Sequence, residues 1–412
     1  MAVNRDKAGR RPLDGIRIVE VGVWHAGPGA AAILADLGAE VIKVETLEGE
    51  PERYHGNFGT FDNGGPDLDN WTALYELSNR NKRGMCLDIT TVEGRQILAE
   101  LVREADVFSS NLREPSKRKL GIDYATIRAI DERVVYLNVS GFGPNGPMAG
   151  SGGFDPLGQA VSGMLYLSGK DQEPRLPQRI ILDQLTAISA AFATTTALLC
   201  RERDGVGQEV HVSLYGSAIW LTHMNLLSAS IAGFELDNNW ERTTQPPLRT
   251  TYECADGEWL MGTNHPETRF WTQFCEALGR PDLLEVPEFA TRETRIENLS
   301  ALFEVLDAEL RTKPRDEWLA VFAAHGLLFT PVNHTLDVLD EEQALANGYI
   351  VDTEHRDLGS LRVPGFPIHF GEYAAGRYDP APRLGEHTDE ILEGLGRDAA
   401  EIATLRSAGV IR

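Results

Sequence analysis

The stretch that decides the fold is IRIVEVGVWHAGPGAAAILADLGAEVIKVE, residues 16 to 45. It begins with a short run rich in β-branched residues, turns through glycine and proline, and continues as an alanine-rich segment that leads to a second apolar run. This pattern predicts a strand, a helix and a second strand. Because such a connection returns the chain in the same direction, we expect the two strands to pair in parallel.

The same alternation continues downstream. TTVEGRQILAELVREA at residues 90–105 leads into DVFSSNL at 106–112, and YATIRAIDERV at 124–134 leads into VYLNVSGFG at 135–143. Repeated units of this kind predict an α/β fold with a Rossmann-like, doubly wound parallel sheet in a large domain that begins with residues 1–224. Short aromatic-rich strands and leucine-patterned helices at 225–335 then indicate a smaller α+β domain.

The overall charge restricts the possible ligands. The chain has 412 residues, with 39 lysines and arginines against 62 aspartates and glutamates, which gives a formal net charge of -23. Such a protein repels nucleic acid and anionic membranes, so we expect neither as a partner. Any polyanionic ligand therefore needs a local basic patch.

Targeting and metal signals are missing from the sequence. The four cysteines form no Cys-x-x-Cys pair and the ten histidines show no metal-ligating spacing, so we expect no metal and no disulfide framework. The N-terminal MAVNRDKAGRRPLDG lacks the apolar core of a signal peptide, and no uninterrupted apolar run reaches the roughly 18 residues of a membrane span. We therefore expect a cytoplasmic protein.

The turn after the first strand suggests one ligand. Gly22, Gly27 and Gly29 would let backbone amides approach a phosphate, and Glu45 at the end of the next strand would hold a ribose hydroxyl. This combination supports an NAD-dependent dehydrogenase. The spacing is not Gly-x-Gly-x-x-Gly, however, and a tight turn with Glu45 at the surface explains the residues equally well.

Two basic clusters stand out in this acidic chain. NRNKRG contains Arg80, Lys82 and Arg83, and the second cluster, NLREPSKRK, spans residues 111–119. Both lie beside predicted strands of the same sheet, where loops gather at one edge, and several phosphates would require such convergence. The clusters suggest a phosphate-bearing cofactor, although solvated charged faces remain an alternative.

A single aspartate is the third feature. RIILDQL, residues 179–185, places Asp183 just before a long alanine- and threonine-rich helix. An aspartate there commonly caps the helix by accepting backbone hydrogen bonds. A carboxylate can also attack an activated acyl group and form a covalent intermediate. The residue types alone do not choose between these roles.

An ordered set of sequence blocks resembles the class III CoA-transferases, the formyl-CoA:oxalate and carnitine CoA-transferase family. The blocks include PLDGIRIVEVG, LSNRNKRGMCLDI, ADVFSSNL, LNVSGFGPNGP, ILDQ, RERDGVGQEVHVSL and PRLGEHTDEIL, and they extend from about Pro12 to Leu392. The resemblance implies an interlocked homodimer whose large domain also takes in residues 336–412. It also implies coenzyme A as co-substrate and no metal.

The resemblance also assigns residues. Asp183 corresponds to the family's nucleophile, and His25 lies where the family has a polar residue, often glutamine, near the thioester. We expect His25 and the backbone amides of residues 26–29 to stabilise the oxyanion. The coenzyme A site is expected to include Ala26, Lys82, Arg83, Asn111, Leu112, Lys119 and Phe142.

The chain departs from the family pattern at several positions. Thr46 and Ser140 replace basic residues, so some coenzyme A contacts are expected to differ. Related racemases have His-Asp where this chain has Phe154-Asp155, and without that histidine a two-base proton exchange lacks one partner. The loop that shields the intermediate in the family corresponds to residues 261–267, which are poor in glycine, so residues 146–159 are an alternative shield.

The sequence thus predicts an acyl-CoA:carboxylate CoA-transferase that uses an acyl-aspartyl mixed anhydride and an aspartyl-CoA thioester. Its partners would be an acyl-CoA donor, a small carboxylic acid acceptor and a second copy of the chain. An acyl-CoA racemase or hydratase-like enzyme, a dehydrogenase and a non-catalytic CoA-binding module remain alternatives. The candidates for binding a dicarboxylate, each equally explained as surface charge, are Arg175, Arg179, Arg249 and His265.

Overall fold

The computed structural model describes residues 9–54, 71–167, 173–177, 180–234 and 241–412. The chain forms two compact units. The large unit comprises Met1–Asp237 and Gly348–Arg412, and the small unit comprises Asn238–Asn347. The C-terminal segment therefore belongs to the same unit as the N-terminal half. The domain boundaries expected after residues 224 and 335 stay predictions.

A parallel sheet forms the centre of the large unit. Its strands are β1 (Arg17–Val21), β2 (Glu40–Glu45), β3 (Arg83–Cys86), β4 (Val107–Ser110), β5 (Val135–Ser140) and β6 (Glu209–Ser213). Among the described residues these six strands lie in the order β3-β2-β1-β4-β5-β6, and every neighbouring pair is parallel. The predicted α/β class with a parallel sheet is confirmed, and the order is that of a doubly wound fold.

Helices cover both faces of this sheet. The helices of this part of the large unit are α1 (Ala26–Asp36), α2 (Ala73–Asn79), α3 (Val92–Arg103), α4 (Glu114–Leu120), α5 (Tyr124–Ile130), α6 (Asp155–Val161), α7 (Met164–Leu167), α8 (Ile181–Asp204), α9 (Leu214–Leu221) and α10 (His223–Ala232). One apolar core joins the sheet to α3 and α5, and the other joins it to α1 and α8. Strands β1, β2, β4 and β5 contribute residues to both cores, because successive strand side chains point to opposite faces.

The helix α8 carries the candidate nucleophile at its start. Alanines of α8, among them Ala187 and Ala190, pack against the alanine-rich helix α1. Small side chains on both helices allow their backbones to approach closely. By length and composition alone α8 would also be able to cross a membrane, a test that the central helix of a compact protein passes equally.

The small unit contains an antiparallel sheet. Its elements are β7 (Thr251–Glu253), β8 (Trp259–Gly262), α11 (Glu267–Leu278), α12 (Pro287–Ala290), α13 (Arg292–Glu297), α14 (Leu299–Leu310), α15 (Arg315–Ala324), β9 (Phe329–Val332), α16 (Thr335–Val338) and α17 (Glu342–Ala346). Strand β8 lies between β7 and β9 and pairs antiparallel with both. The core is aromatic, with Trp271, Phe274 and Trp318 buried.

The C-terminal segment completes the large unit with β10 (Ile350–His355), β11 (Gly359–Pro364), α18 (Thr388–Gly394) and α19 (Ala399–Ser407). The backbone amide of Gly84 in β3 donates a hydrogen bond to His387 Nδ1 at 3.1 Å, and that of Cys86 donates to Thr388 Oγ1 at 3.2 Å. These bonds fix the segment to the edge strand of the sheet. Buried residues of α18 and α19 join the same core as α3.

Candidate active site

The large unit contains an open cavity of about 1550 Å³. Its wall is formed by the segments that follow β1, β4 and β5, together with the first turn of α8. These segments leave the carboxyl ends of the strands, and the strand order reverses between β1 and β4. Ligands of doubly wound proteins bind at this point of the sheet.

Asp183 lines this cavity, and it is not the residue that caps α8. The carboxylate of Asp155 accepts hydrogen bonds from the backbone amides of Leu182 at 2.6 Å and Asp183 at 3.1 Å. Asp155 therefore satisfies the free amides of the first helical turn. The side chain of Asp183 is left half-buried in the cavity wall, so its capping interpretation is wrong.

The environment of Asp183 raises its pKa to about 7. Burial is the larger cause, because a poorly hydrated carboxylate is costly, and the negative charge of Asp155 adds to it. Near neutral pH the carboxyl is therefore divided between its two forms. The ionised form is a stronger nucleophile than an ordinary, fully hydrated aspartate, because it is more basic and less solvated.

His25 connects the first turn of α8 to α2. Its Nε2 lies 2.7 Å from Gln184 Oε1, and its Nδ1 lies 2.9 Å from Ser78 Oγ. Burial lowers the pKa of His25 to about 4, so the ring is neutral. Because an amide oxygen only accepts, the proton is assigned to Nε2, and Nδ1 accepts a hydrogen bond from Ser78. Both ring nitrogens therefore have partners, and the expected role of His25 as an oxyanion donor is not supported.

The glycines after β1 pack directly against neighbouring side chains, which leaves little room for a Cβ. A Cβ at Gly27 would lie 3.0 Å from Asn111 Cβ, and a Cβ at Gly29 would lie 2.8 Å from His25 Cε1. Asn111 in turn holds the turn, because its amide donates to Val23 O at 2.6 Å and accepts from Val23 N at 3.0 Å. These glycines are explained by close packing, and the structure gives no support to a dinucleotide cradle.

The contacts of Glu45 also argue against the expected ribose-binding role of this residue. Its side chain is buried, and its carboxylate pairs with Arg53 at 2.7 Å. It also accepts hydrogen bonds from the Tyr75 hydroxyl at 3.3 Å and from the backbone amide of Glu50 at 3.0 Å. A carboxylate with these partners is not free to bind a ribose. Sequence position alone does not reveal that Arg53 occupies it.

The second basic cluster lies at the cavity. Arg113, Lys117 and Arg118 line the wall at α4. The ammonium of Lys117 lies 3.0 Å from Glu114 Oε2, and Arg118 Nε lies 3.1 Å from Glu114 Oε1. One carboxylate thus faces two cations, which leaves positive charge for an anionic ligand. Lys119, predicted at this site, is exposed and is not part of the wall.

The first basic cluster lies away from the cavity wall, which corrects the expected positions of Lys82 and Arg83. The ammonium of Lys82 is buried and contacts Glu20 Oε2 at 2.5 Å and Pro28 O at 2.8 Å. Burial lowers its pKa to about 8. The guanidinium of Arg83 pairs with Glu40 at 2.6 Å. The carboxylates of Glu20 and Glu40 therefore pair with the two cations that we expected to bind coenzyme A.

Of the other residues predicted to bind coenzyme A, some line the cavity and one does not. Ala26, Asn111 and Leu112 line the cavity. Phe142 does not: its neighbours Gly141 and Gly143 form the wall, and its ring lies 6.4 Å from that of Tyr215. The departures also divide, since Ser140 lines the wall and Thr46 instead donates a hydrogen bond to Gly49 O at 3.0 Å.

Three of the charged candidates for binding a dicarboxylate have exposed side chains. Arg175 is exposed in the large unit, and Arg249 and His265 are exposed in the small unit. Arg179 lies outside the described residues. Residues 149–156 line the cavity wall, and the role of residues 146–159 as a shield stays a prediction.

Sequence reasoning missed two groups at the cavity. Asp155 was noted only for the missing histidine before it, and nothing in the sequence reveals that it caps a helix 28 residues later. Glu52 lines the wall and is only 1% exposed. Burial and the charge of Glu50 raise the pKa of Glu52 well above its usual value. No group of side chains able to hold a metal occurs in the described ranges.

Comparisons with known proteins agree over most of the chain. The sequence model of CoA-transferase family III matches residues 13–388. An acyl-CoA transferase of Fusarium pseudograminearum is 32% identical over 97% of this chain and 88% of its own. The (R)-2-hydroxy-4-methylpentanoate CoA-transferase of Clostridioides difficile is 30% identical over 97% and 99% of the two chains. The crystal structure of a CAIB/BAIF family protein from Brucella suis, 29% identical, has a TM-score of 0.83 and covers 94% of this chain and 100% of its own.

Proposed function

Because this chain belongs to CoA-transferase family III, it is a CoA-transferase, and we propose that Asp183 is the residue through which coenzyme A passes between two carboxylic acids. The observation that supports this role most directly is the position of the side chain. Asp183 lines the cavity beside the strand reversal, with its own helix capped by Asp155 and a cationic wall at α4. It is therefore free to react.

The proposed reaction has two symmetrical halves. The Asp183 carboxylate attacks the carbonyl carbon of the acyl-CoA donor, the C–S bond breaks, and the thiolate leaves an acyl-aspartyl anhydride. The thiolate then attacks the aspartyl carbonyl, which expels the donor acid and leaves an aspartyl-CoA thioester. The acceptor carboxylate attacks this thioester to form a second anhydride. Attack of the thiolate on the acceptor's acyl carbon then releases the new acyl-CoA and restores Asp183.

Surrounding groups support these steps. His25, with both nitrogens bonded, holds Gln184 and thus positions the first turn of α8. Ala26 lines the cavity at the start of α1, where the amides of Ala26 and Gly27 have no acceptor within the helix. Gly29 is not available, because its amide donates to His25 O at 2.6 Å. We assign oxyanion stabilisation to the amides of Ala26 and Gly27.

The cationic wall provides the affinity for coenzyme A. Lys117 and Arg118 present positive charge in a protein of net charge -23. Guanidinium and ammonium groups bind phosphates through charge-assisted hydrogen bonds. We infer that the phosphates of coenzyme A lie at α4 and that the thioester lies at Asp183.

A second copy of the chain is the proposed partner. Helices α8, α9 and α10 expose large apolar side chains, including Phe192 and Trp220, both 72% exposed, Met224, 80% exposed, and Ile231, 78% exposed. Monomeric proteins rarely expose so many large apolar side chains on neighbouring helices. We infer that another copy covers it, and light scattering after gel filtration tests this: a homodimer is expected, and a monomer at micromolar concentration would contradict it.

Matched variants test the role of Asp183. Asp183→Asn keeps the shape of the side chain but cannot attack a thioester, so transfer is expected to fall by at least about 1,000-fold. Asp204 lies exposed at the other end of the same helix, and Asp204→Asn is expected to retain activity. Transfer of coenzyme A between a thioester and an isotopically labelled acid is the assay. Full activity of Asp183→Asn would exclude the proposal.

A further inference from the structure

Two aromatic rings line the same cavity as Asp183. Trp24 and Phe154 both belong to the wall, and their ring centroids lie 5.8 Å apart at an interplanar angle of 79°. This edge-to-face arrangement is a favourable aromatic contact. Phe154 remains 56% exposed, so much of its ring is available to a ligand.

Each ring of the aromatic pair is next in sequence to a residue that contacts the first turn of α8. Phe154 directly precedes Asp155, whose carboxylate accepts the backbone amide of Asp183 at 3.1 Å. Trp24 directly precedes His25, whose ring contacts Gln184 at 2.7 Å. Each ring is therefore one residue away from a group that holds the first turn of α8. The two rings therefore reach the wall that contains Asp183 from two different loops.

Other apolar side chains extend this surface. Ile180, immediately before α8, and Leu176 line the same cavity, as does Leu74. In contrast, the lysines and arginines among the described wall residues come from the segment at α4: Arg113, Lys117 and Arg118. The carboxylates at the aromatic end are Asp155 and Glu52. The lysine and arginines of the described wall thus lie at α4, beside the carboxylates of Glu114 and Asp123, whereas the aromatic pair belongs to segments that bring no lysine or arginine to that wall.

We propose that the Trp24–Phe154 pair binds the body of the transferred acid, and that the substrates are monocarboxylic acids with an apolar chain or ring. This inference rests on the proposed function, because it assumes that the acyl carbon is held at Asp183. Binding of an apolar acid is favoured because its chain or ring would cover the exposed ring of Phe154 and remove apolar surface from water. A second carboxylate placed against these rings would lose its hydration and lie near Asp155. The lysine and arginines of the described wall belong to the segment at α4 and not to this part of the wall.

A comparison of acids tests the proposal in the unmodified protein. With acetyl-, butyryl- and succinyl-CoA as donors, kcat/KM is measured for 4-methylpentanoate and 3-phenylpropanoate against succinate and glutarate. The apolar acids are expected to be preferred by about tenfold or more. A preference for the dicarboxylates, or no preference, overturns the inference.

Variants of Phe154 test the residue itself. Phe154→Leu keeps an apolar wall and is expected to retain the preference, whereas Phe154→Gln places a polar group there and is expected to reduce it to less than about threefold. Tyr166 is 61% exposed and lies outside the wall, so Tyr166→Ala is the control and should behave as the unmodified protein. An unchanged preference in Phe154→Gln overturns the role of the ring.

The two proposals fail in different ways. Transfer that occurs with a preference for dicarboxylates contradicts only the inference about the acid. Absence of transfer for every donor and acid contradicts the proposed function and, with it, this inference.

Discussion

Replacing Asp183 with asparagine is expected to stabilise the protein, and the gain is expected to grow with pH. Burial and, to a smaller extent, Asp155 raise the pKa of Asp183 from 3.8 to about 7 in the folded protein. The unfolded chain therefore loses its proton first as the pH rises. The contribution of Asp183 to the unfolding free energy is therefore unchanged below pH 3.8, falls between the two pKa values and is constant above pH 7.

The size of this effect follows from the two pKa values. Stability falls by about 1.4 kcal/mol for each pH unit between them. The ionisable side chain therefore costs about 2 kcal/mol at pH 5 and about 4 kcal/mol at pH 8. Asparagine cannot ionise, so its variant avoids both costs. The difference in unfolding free energy between Asp183→Asn and the unmodified protein should increase by about 2 to 3 kcal/mol from pH 5 to pH 8.

Urea unfolding of both proteins at these two pH values measures the difference. Asp204→Asn is the control, because the side chain of Asp204 is exposed and should give the same small change at both pH values. A gain for Asp183→Asn that is equal at pH 5 and pH 8 would show that the pKa is not raised. A loss of stability at pH 8 would refute the argument altogether.

Other predictions concern activity. Asp155→Asn removes a negative charge and lowers the pKa of Asp183, so the acid limb of the pH profile of kcat/KM should move to lower pH; an unmoved limb would contradict the coupling. Lys117→Met should raise the KM for acyl-CoA about tenfold, whereas Lys119→Met should leave it unchanged; equal effects would contradict the assigned wall. His25→Ala should lower kcat about tenfold without changing the pH profile above pH 5, because the pKa of His25 is about 4; a shifted profile would show that its ring titrates in catalysis.

The sequence predicted the sheet and the position of the site because both depend on local patterns. Apolar runs, glycine-rich turns and an alanine-rich helix determine the βαβ units, and the loops of a parallel sheet gather at one edge. His25 lies in the turn after β1 and Asp183 in the first turn of α8, and the structure brings them to one cavity. Their assignment to a reaction came from the family resemblance.

The partners of charged residues could not be predicted in this way. Lys82 and Lys117 are each preceded or followed by other basic residues, yet Glu20 binds the first inside the protein and the second lines the cavity. The difference depends on contacts between residues far apart in the chain. Glu45 was misassigned for the same reason, since Arg53 and Tyr75 fold onto it.

The central claim is that Asp183 becomes covalently modified during transfer. The protein is incubated with an acyl-CoA, quenched in acid and digested, and the peptide that contains Asp183 is analysed by mass spectrometry. We expect the mass of the acyl group or of coenzyme A on Asp183, and no adduct in Asp183→Asn. Continued transfer with Asp183 unmodified throughout turnover would contradict the account.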